Sequence, residues 1–256
     1  MPQAYHCHAL VLKKTKLGES DLIVTLLSED GRQLRCVAKG ARKPGSRFAA
    51  RLELFSVAEV FMHQGRSLDT VTDARLVGQG SYRWGSDPAR AAAACVLCEF
   101  LEKATREGDG EPRLFPLCVE ALRCIGTQEH DALELLVAAA LLKCAAQMGY
   151  RPALYECSSC GEPLGDLGSG GGLGFSLEGG GGLCAPCAVA SAKLDPAFLG
   201  WLRLLLGGRL ADLAALEGAP CGRMLDFSCR WVEAHLGITL RSVALLRDIL
   251  CGLGRG

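Results

Sequence analysis

Four cysteines in two pairs are the residues of this sequence whose types and spacing are best suited to chemistry. The first pair lies in CSSCG, at Cys157 and Cys160, and the second in CAPC, at Cys184 and Cys187. Two residues between paired cysteines let the chain fold back so that both thiolates face one metal ion, and two such pairs are typical of a tetrahedral zinc site. Four protein ligands leave no open coordination position. We therefore predict one structural Zn²⁺ per chain and no catalysis by the metal.

The chain between the two pairs is rich in glycine. Residues 165–182 contain ten glycines, so this stretch has few side chains with which to form a core and needs an external staple. Metal binding supplies about 10–16 kcal/mol in small zinc peptides, which is enough to order such a segment. A zinc-binding insertion is therefore expected over about 155–190.

The sequence has fourteen cysteines, and a second CxxC pair allows another interpretation. Cys95 and Cys98 lie within an apolar, helical pattern that has neither a nearby glycine nor a partner pair. A redox enzyme that uses these two thiols or the four-cysteine set is the alternative. One tightly held zinc ion and no thiol-exchange activity would eliminate it.

A run of basic residues is the second chemical feature. The whole chain is neutral, with 28 basic and 28 acidic residues, yet residues 31–51 contain seven cations and no Asp or Glu. The seven candidate DNA-binding residues are Arg32, Arg35, Lys39, Arg42, Lys43, Arg47 and Arg51. A charge run is usually only a solvated surface, but this concentration of charge indicates a polyanionic partner.

The elements that position these cations read as short strands. Strands are predicted at 8–17, 21–28, 32–39, 52–62 and 67–77, with a hairpin at Asp30-Gly31, which indicates a five-stranded antiparallel sheet or small barrel. In the third strand, the alternation of side chains places Arg35 and Lys39 on the face opposite the small apolar residues.

From residue 86 the sequence becomes helical. Helices are predicted to start at Ser86-Asp87-Pro88 and to cover 113–125, 130–148, 196–206, 209–217, 221–236 and 240–251. The fold class is thus α+β with two domains, 1–82 and 83–256. Residues 1–82 carry a net charge of +4 and the remainder carries −4. The neutral total hides a basic module joined to an acidic one.

Several classes of function lack their signatures. GARKPGSR, at 40–47, approaches a phosphate-binding loop but has Ser46 in the place of the lysine, and no HExxH, GxSxG or GxGxxG motif is present. We therefore expect a binding protein and not an enzyme. No apolar run reaches the roughly 20 residues of a membrane span, and the N-terminus does not resemble a secretion signal. We expect a cytoplasmic protein without membrane contact.

Four segments of the chain resemble the bacterial recombination mediator family RecO. They are GESDLIVTLLSEDGRQLRCVAKGARKPGSRFAARLELFSVAEVFMHQGRSLDTV, LLKCAAQMGYRPALYECSSCGEPLG, FSLEGGGGLCAPC and HLGITLRS. The resemblance implies an N-terminal OB-fold barrel and an all-α domain with an inserted four-cysteine zinc motif. It also implies a bacterial, nucleoid-associated protein that binds ssDNA and dsDNA, anneals strands, partners RecR, contacts the C-terminal tail of SSB and indirectly helps RecA.

The residues suggest how such a protein would hold DNA. Cations that neutralise phosphates give affinity without sequence preference, and seven of them predict a slope near −5 for log affinity against log salt on a single strand. Phe48 is the only aromatic residue in the basic run, so we expect the DNA to be gripped by its backbone with the bases free to pair. The alternative is a zinc-ribbon RNA-binding or regulatory factor.

Overall fold

A computed structural model describes residues 3–77, 84–165, 173–189 and 192–253. The chain forms two compact units. The first comprises Met1–Thr127 together with Leu240–Gly256, and the second comprises Gln128–Thr239. The domain division after residue 82 remains a prediction, and the first compact unit includes helices from beyond it.

The N-terminal part is a closed five-stranded barrel, as predicted. Its strands are β1 (Ala4–Leu17), β2 (Asp21–Ser28), β3 (Gln33–Ala38), β4 (Val57–His63) and β5 (Asp69–Leu76). They close in the order β1-β2-β3-β5-β4, with a parallel pair between β3 and β5 and antiparallel pairs elsewhere. The hairpin between β2 and β3 is confirmed, and Gly31 supplies the positive φ of +81° that its turn requires.

The barrel interior follows the alternation of side chains along each strand. In β3, Cys36 and Ala38 are fully buried in the interior cluster, whereas Arg35, and Lys39 directly after the strand, are exposed. The predicted outward direction of these two cations is therefore confirmed.

The segment between β3 and β4 is not what the sequence suggested. A strand was expected from residue 52, but β4 begins at Val57, and residues 39–56 form turns. Two apolar residues of this segment pack inside the barrel instead of forming a strand. Phe48 and Leu52 belong to its interior cluster and are 6% and 1% exposed.

The helices are confirmed with changes at their ends. They are α1 (Pro88–Ala104), α2 (Leu114–Thr127), α3 (Leu133–Gln147), α4 (Pro196–Gly207), α5 (Leu210–Leu213), α6 (Cys221–Leu236) and α7 (Ser242–Leu253). The two Asp-Pro starts act as expected. Asp87 accepts a hydrogen bond from the amide of Arg90 and Asp195 accepts one from the amide of Ala197, each with proline at the first helical position.

In the first unit, α1 and α2 pack on β1, and α7 packs on α1. The α7 helix starts at a carboxylate from α1. Glu99 accepts hydrogen bonds from the amides of Arg241 (3.1 Å) and Ser242 (2.8 Å), and it pairs with Lys103 at 2.6 Å. Burial acts to raise the pKa of Glu99, but these bonds outweigh it and lower the pKa to about 2.

In the second unit, the nearly all-apolar α3 is central and packs against α4, α5 and α6. Lys143 of α3 caps the end of α4 by donating to the carbonyls of Leu206 (2.9 Å) and Gly208 (2.7 Å). The helix predicted at 209–217 was too long, since α5 ends at Leu213. The following residues, 214–217, are mostly exposed and bury too little apolar surface to sustain another helical turn.

Three short strands complete the second unit: β6 (Gly174–Ser176), β7 (Gly181–Leu183) and β8 (Ala192–Lys193). They pair in the order β7-β6-β8. Part of the glycine-rich tract, residues 166–172, lies outside the described residues. Among the described residues, no helix combines the length and apolar character that crossing a bilayer requires.

The carboxylate at the start of α7 leads to a prediction on stability. Glu99→Gln should lower the free energy of unfolding by about 2 kcal/mol at pH 7, because charged hydrogen bonds to two amides and a lysine are lost. The native pKa of Glu99 lies below its unfolded value, so this stability is present above about pH 4 and disappears as the pH falls through about 2.

Urea unfolding at several pH values measures the effect. Glu102→Gln is the matched control, because Glu102 lies on the same helix and makes a more exposed pair with Lys13, for which about 0.5 kcal/mol is expected. Equal losses in the two variants at pH 7 would contradict the assigned role of Glu99.

Candidate metal centre and nucleic-acid interface

The four predicted ligands come together in one cluster. The Sγ atoms of Cys157, Cys160, Cys184 and Cys187 all lie within 4.8 Å of one another. The Sγ atoms of Cys160 and Cys184 are 3.6 Å apart. Four thiolates placed about 2.3 Å from a tetrahedral ion would be separated by about 3.8 Å, so the cluster has the size of a metal site.

Two tight turns bring these sulfurs together. In the first turn, the amide of Gly161 donates to the carbonyl of Cys157 at 2.9 Å, and Gly161 has a φ of +77°. In the second turn, the amides of Cys187 and Ala188 both donate to the carbonyl of Cys184 at 3.0 Å. The CxxC spacing thus has the geometric purpose that the sequence predicted, and Gly161 supplies the positive φ of the first turn.

Backbone amides point at the sulfur of Cys157. Hydrogen bonds from the amide of Cys184, and further ones from the amides of Cys160 and Ser159, lower the pKa of Cys157 to about 6, although burial acts in the opposite direction. Amide donors that favour the thiolate are what a metal-binding cysteine needs, because the thiolate is the ligand form.

The four-cysteine module, residues 153–165 and 173–189, is attached to helices of its own unit. Arg203 of α4 donates to the carbonyl of Leu154 at 2.8 Å and to that of Leu164 at 3.0 Å, and its guanidinium lies 4.8 Å from the ring centroid of Tyr155. These contacts hold the first turn of the module against α4.

The β6–β7 hairpin of the module is held by aromatic residues of α6. The ring of Phe175 meets those of Phe227 and Trp231 edge-on, at 5.3 Å and 6.3 Å between centroids. The ring of His235 lies 2.9 Å, through Nε2, from the carbonyl oxygen of Leu177. Glycine is required for a close approach at residue 181, where a Cβ would come within 2.3 Å of the carbonyl oxygen of Ala153.

The second CxxC pair has a different environment. Cys98 is 2% exposed on α1, and burial raises the pKa values of both Cys98 and Cys95. A reactive dithiol needs an accessible thiolate with a lowered pKa, so this pair is poorly suited to the redox chemistry of the alternative interpretation.

The seven predicted cations divide into three groups by their partners. Arg32 pairs with Asp30 (Nε–Oδ2, 2.7 Å) and Arg51 pairs with Asp73 (3.0 Å). Both carboxylates lie outside residues 31–51: Asp30 is in the turn after β2, and Asp73 is on β5. Although residues 31–51 contain no acid, the charges of Arg32 and Arg51 are therefore compensated by carboxylates from outside that range.

Arg42 and Arg47 bond to backbone oxygens and, in the described parts of the chain, to no carboxylate. The Nη1 of Arg42 donates to the carbonyls of Gly18 (3.1 Å) and Glu19 (2.8 Å), and the Nη2 of Arg47 donates to that of Thr72 (2.6 Å). Both side chains are exposed. These bonds fix the two guanidinium groups at the surface of the barrel.

The third group consists of Arg35, Lys39 and Lys43. All three are exposed, and within the described parts of the chain none of them forms an ion pair. Of the seven cations, these three and the two backbone-bonded arginines therefore have no carboxylate partner within 4 Å among the described residues.

Two features restrict how a nucleic acid could lie on this unit. Phe48, the one aromatic residue of the basic run, is buried in the barrel and offers no free face for stacking. The outer face of β1 and β2 is also occupied. Leu10, Leu12 and Leu27 alternate with interior residues yet are at most 4% exposed, and α1 and α2 pack on β1.

Comparison with known proteins agrees with this arrangement. The profile of the family "Recombination protein O N terminal" matches residues 1–79, and that of "Recombination protein O C terminal" matches residues 85–244. Two curated proteins named "DNA repair protein RecO", from the DCB-2 and Y51 strains of Desulfitobacterium hafniense, are each 34% identical to this chain. The alignments cover 93% of the chain and 87% of each relative.

A closed five-stranded barrel joined to a helical part with a four-cysteine cluster defines the class: an α+β protein with an N-terminal barrel of OB-fold type. The chain belongs to the RecO family of DNA repair and recombination proteins. Proteins of this family are repair mediators and are not known as catalysts.

The anchoring of the module yields a prediction. Arg203→Met should accelerate the loss of bound metal to a chelator several-fold, because two carbonyl bonds that hold the first cysteine turn are removed at about 1 kcal/mol each or more. Chelator-coupled absorbance measures the rate. Arg209→Met is the control, since Arg209 is exposed and its guanidinium has no partner within the described residues. Identical release rates in the two variants would show that Arg203 does not hold the module.

Proposed function

We propose that this protein is a recombination mediator that binds ssDNA and dsDNA by their phosphate backbones and anneals complementary strands. With RecR, it would help to load RecA onto DNA coated by SSB, whose C-terminal tail it would contact. Family membership supports the mediator role, and the cations of the barrel unit support the mode of DNA binding. We assign this binding to residues 1–82 and the site of action to the bacterial cytoplasm, on the nucleoid.

One observation carries the mode of binding. Residues 39–51, which we call the basic segment, and the preceding strand β3 carry exposed cations. The aromatic residue of the segment, Phe48, is buried in the barrel. Such a surface attracts phosphates but provides no aromatic stack for the bases. A strand held by its phosphates keeps its pairing edges free for a second strand, and annealing requires that freedom.

The number of uncompensated cations sets the salt dependence. Five of them, Arg35, Lys39, Arg42, Lys43 and Arg47, predict a slope of about −3.5 for log affinity against log salt on ssDNA. Fluorescence anisotropy with a labelled oligonucleotide measures it. A slope near −5 would mean that Arg32 and Arg51 leave their carboxylates to contact phosphates, and a flat titration would refute the electrostatic account.

Annealing tests the function directly. Complementary strands coated with SSB should anneal in the presence of the protein without ATP. Replacing Arg35, Lys39 and Lys43 together by Ala should weaken ssDNA binding roughly 100-fold at 0.1 M salt, equally on all sequences, and should abolish annealing at concentrations where the wild type is active. The matched control is the double variant Arg32→Ala, Arg51→Ala, which removes two cations that already have carboxylate partners.

The double variant Arg32→Ala, Arg51→Ala should weaken ssDNA binding less than tenfold. Wild-type protein that fails to anneal coated strands at low salt would count against the mediator role, and a loss confined to particular sequences would indicate base readout. Competition between ssDNA and RNA tests the RNA-binding alternative, because a preference for RNA would favour it.

We infer that the ion held by the four cysteines is Zn²⁺ and that it is structural. The thiolate set and its size support this assignment, and among the described residues no fifth Cys, His, Asp or Glu joins the cluster. The module itself is acidic, with Glu156, Glu162 and Glu178 exposed, so it is not expected to attract DNA.

Metal removal should therefore separate folding from DNA binding. Chelation under reducing conditions should release one zinc ion per chain and unfold the module, which near-UV circular dichroism would detect through the environments of Tyr155 and Trp231. DNA affinity should change less than twofold, since the cations lie in the other compact unit. A parallel loss of affinity and zinc would place the module in the DNA-binding surface.

A further inference from the structure

The basic segment has little regular structure of its own. Residues 39–51 form successive turns, held internally by single bonds such as Lys43 N to the Gly40 carbonyl (3.1 Å) and Ser46 N to the Lys43 carbonyl (3.1 Å). Gly40 and Gly45 adopt positive φ values of +66° and +72°. If such a segment must be ordered when a ligand binds, the entropy cost lowers its affinity for the ligand. Attachments that hold the segment to the barrel beforehand reduce that cost.

The start of the basic segment is attached to the turn between β1 and β2. An Oδ1 of Asp21 accepts a hydrogen bond from the amide of Gly40 at 2.8 Å, and the carbonyl of Ser20 accepts one from the amide of Arg42 at 2.9 Å. The guanidinium of Arg42 binds two further carbonyls of the same turn. Asp21 contributes the only side-chain acceptor among these contacts.

The carboxylate of Asp21 is itself fixed and ionised. The Oγ of Ser20 donates to it at 2.9 Å. The amide of Gly40 is the main cause that lowers the pKa of Asp21, followed by the hydroxyl of Ser20 and then by the charges of Lys39 and Lys43. The negative charge therefore lies beside two cations assigned to phosphate binding, where by charge alone it opposes binding of DNA.

We propose that Asp21 is a positioning residue for DNA binding: it latches the basic segment to the barrel through the amide of Gly40, so that Lys39, Arg42 and Lys43 are held in place before DNA arrives. This inference rests on the proposed function. It assigns to an acidic residue, which does not touch DNA, a favourable effect on DNA affinity.

Three single variants separate position from charge. Asp21→Ala removes both the charge and the acceptor, Asp21→Asn removes the charge but keeps an oxygen acceptor, and Glu19→Ala removes a neighbouring charge alone. Glu19 is exposed, and its carboxylate has no partner within the described residues. Charge alone predicts that all three variants bind ssDNA more tightly.

If Asp21 holds the basic segment in place, Asp21→Ala should change the affinity for ssDNA in the direction opposite to the change in the other two variants. Asp21→Ala should bind ssDNA about fivefold more weakly than wild type, a loss equivalent to one hydrogen bond. Asp21→Asn and Glu19→Ala should bind up to about twofold more tightly, as expected for removal of one surface charge. Tighter binding by Asp21→Ala, or equal behaviour of Asp21→Ala and Asp21→Asn, would overturn the proposal.

A second measurement does not depend on DNA. Hydrogen exchange at the amides of Lys43 and Ser46, whose bonds lie within the segment, should become faster in Asp21→Ala and stay unchanged in Asp21→Asn and Glu19→Ala. Unchanged exchange in Asp21→Ala would refute the latch even if affinity fell. If wild-type protein bound no ssDNA, the proposed function would fail, and the exchange rates would still decide whether the latch exists.

Discussion

Burial of Phe48 and Leu52 in the barrel is the interaction on which the placement of the exposed cations depends. Each apolar side chain contributes about 1.5–3 kcal/mol when removed from water, and together they tie an otherwise irregular segment to the barrel. The residues between and before them, Arg42, Lys43 and Arg47 among them, are consequently directed outward. One segment therefore packs inside the barrel and presents charge outside it, and the burial of its aromatic residue supports the proposal that this surface would hold DNA by phosphate contacts.

Compensation of charge is the second constraint. A neutral protein that binds a polyanion must keep some cations away from its own carboxylates. Here Asp30 and Asp73 neutralise the cations at the two ends of the run, while backbone carbonyls hold Arg42 and Arg47 without cancelling their charge. Carbonyl oxygens position a guanidinium and leave its monopole available at long range, which a carboxylate does not.

The four-cysteine module solves a different problem, because its glycine-rich chain cannot form a core alone. Its two turns bring four sulfur atoms together in one cluster. Arg203 of α4 and aromatic rings on α6 hold the module to the helices of its unit. The module is acidic and belongs to the second compact unit, whereas the exposed cations between Arg35 and Arg47 belong to the first. Folding of the module and attraction of DNA are therefore assigned to separate parts of the chain.

The sequence by itself determined the features that depend on local spacing: the two cysteine turns, the Asp-Pro helix starts, the β2–β3 hairpin and the outward direction of Arg35 and Lys39. Tertiary structure decided that Arg51 is compensated, because its partner Asp73 lies on β5, and it placed Asp21 beside the amide of Gly40. It also decided that Phe48 and Leu52 pack inside the barrel and that β4 begins only at Val57, because a short apolar run has the same pattern whether or not it forms a strand. The return of α7 to α1, through Glu99, joins residues more than 140 positions apart, and no local pattern encodes such a contact.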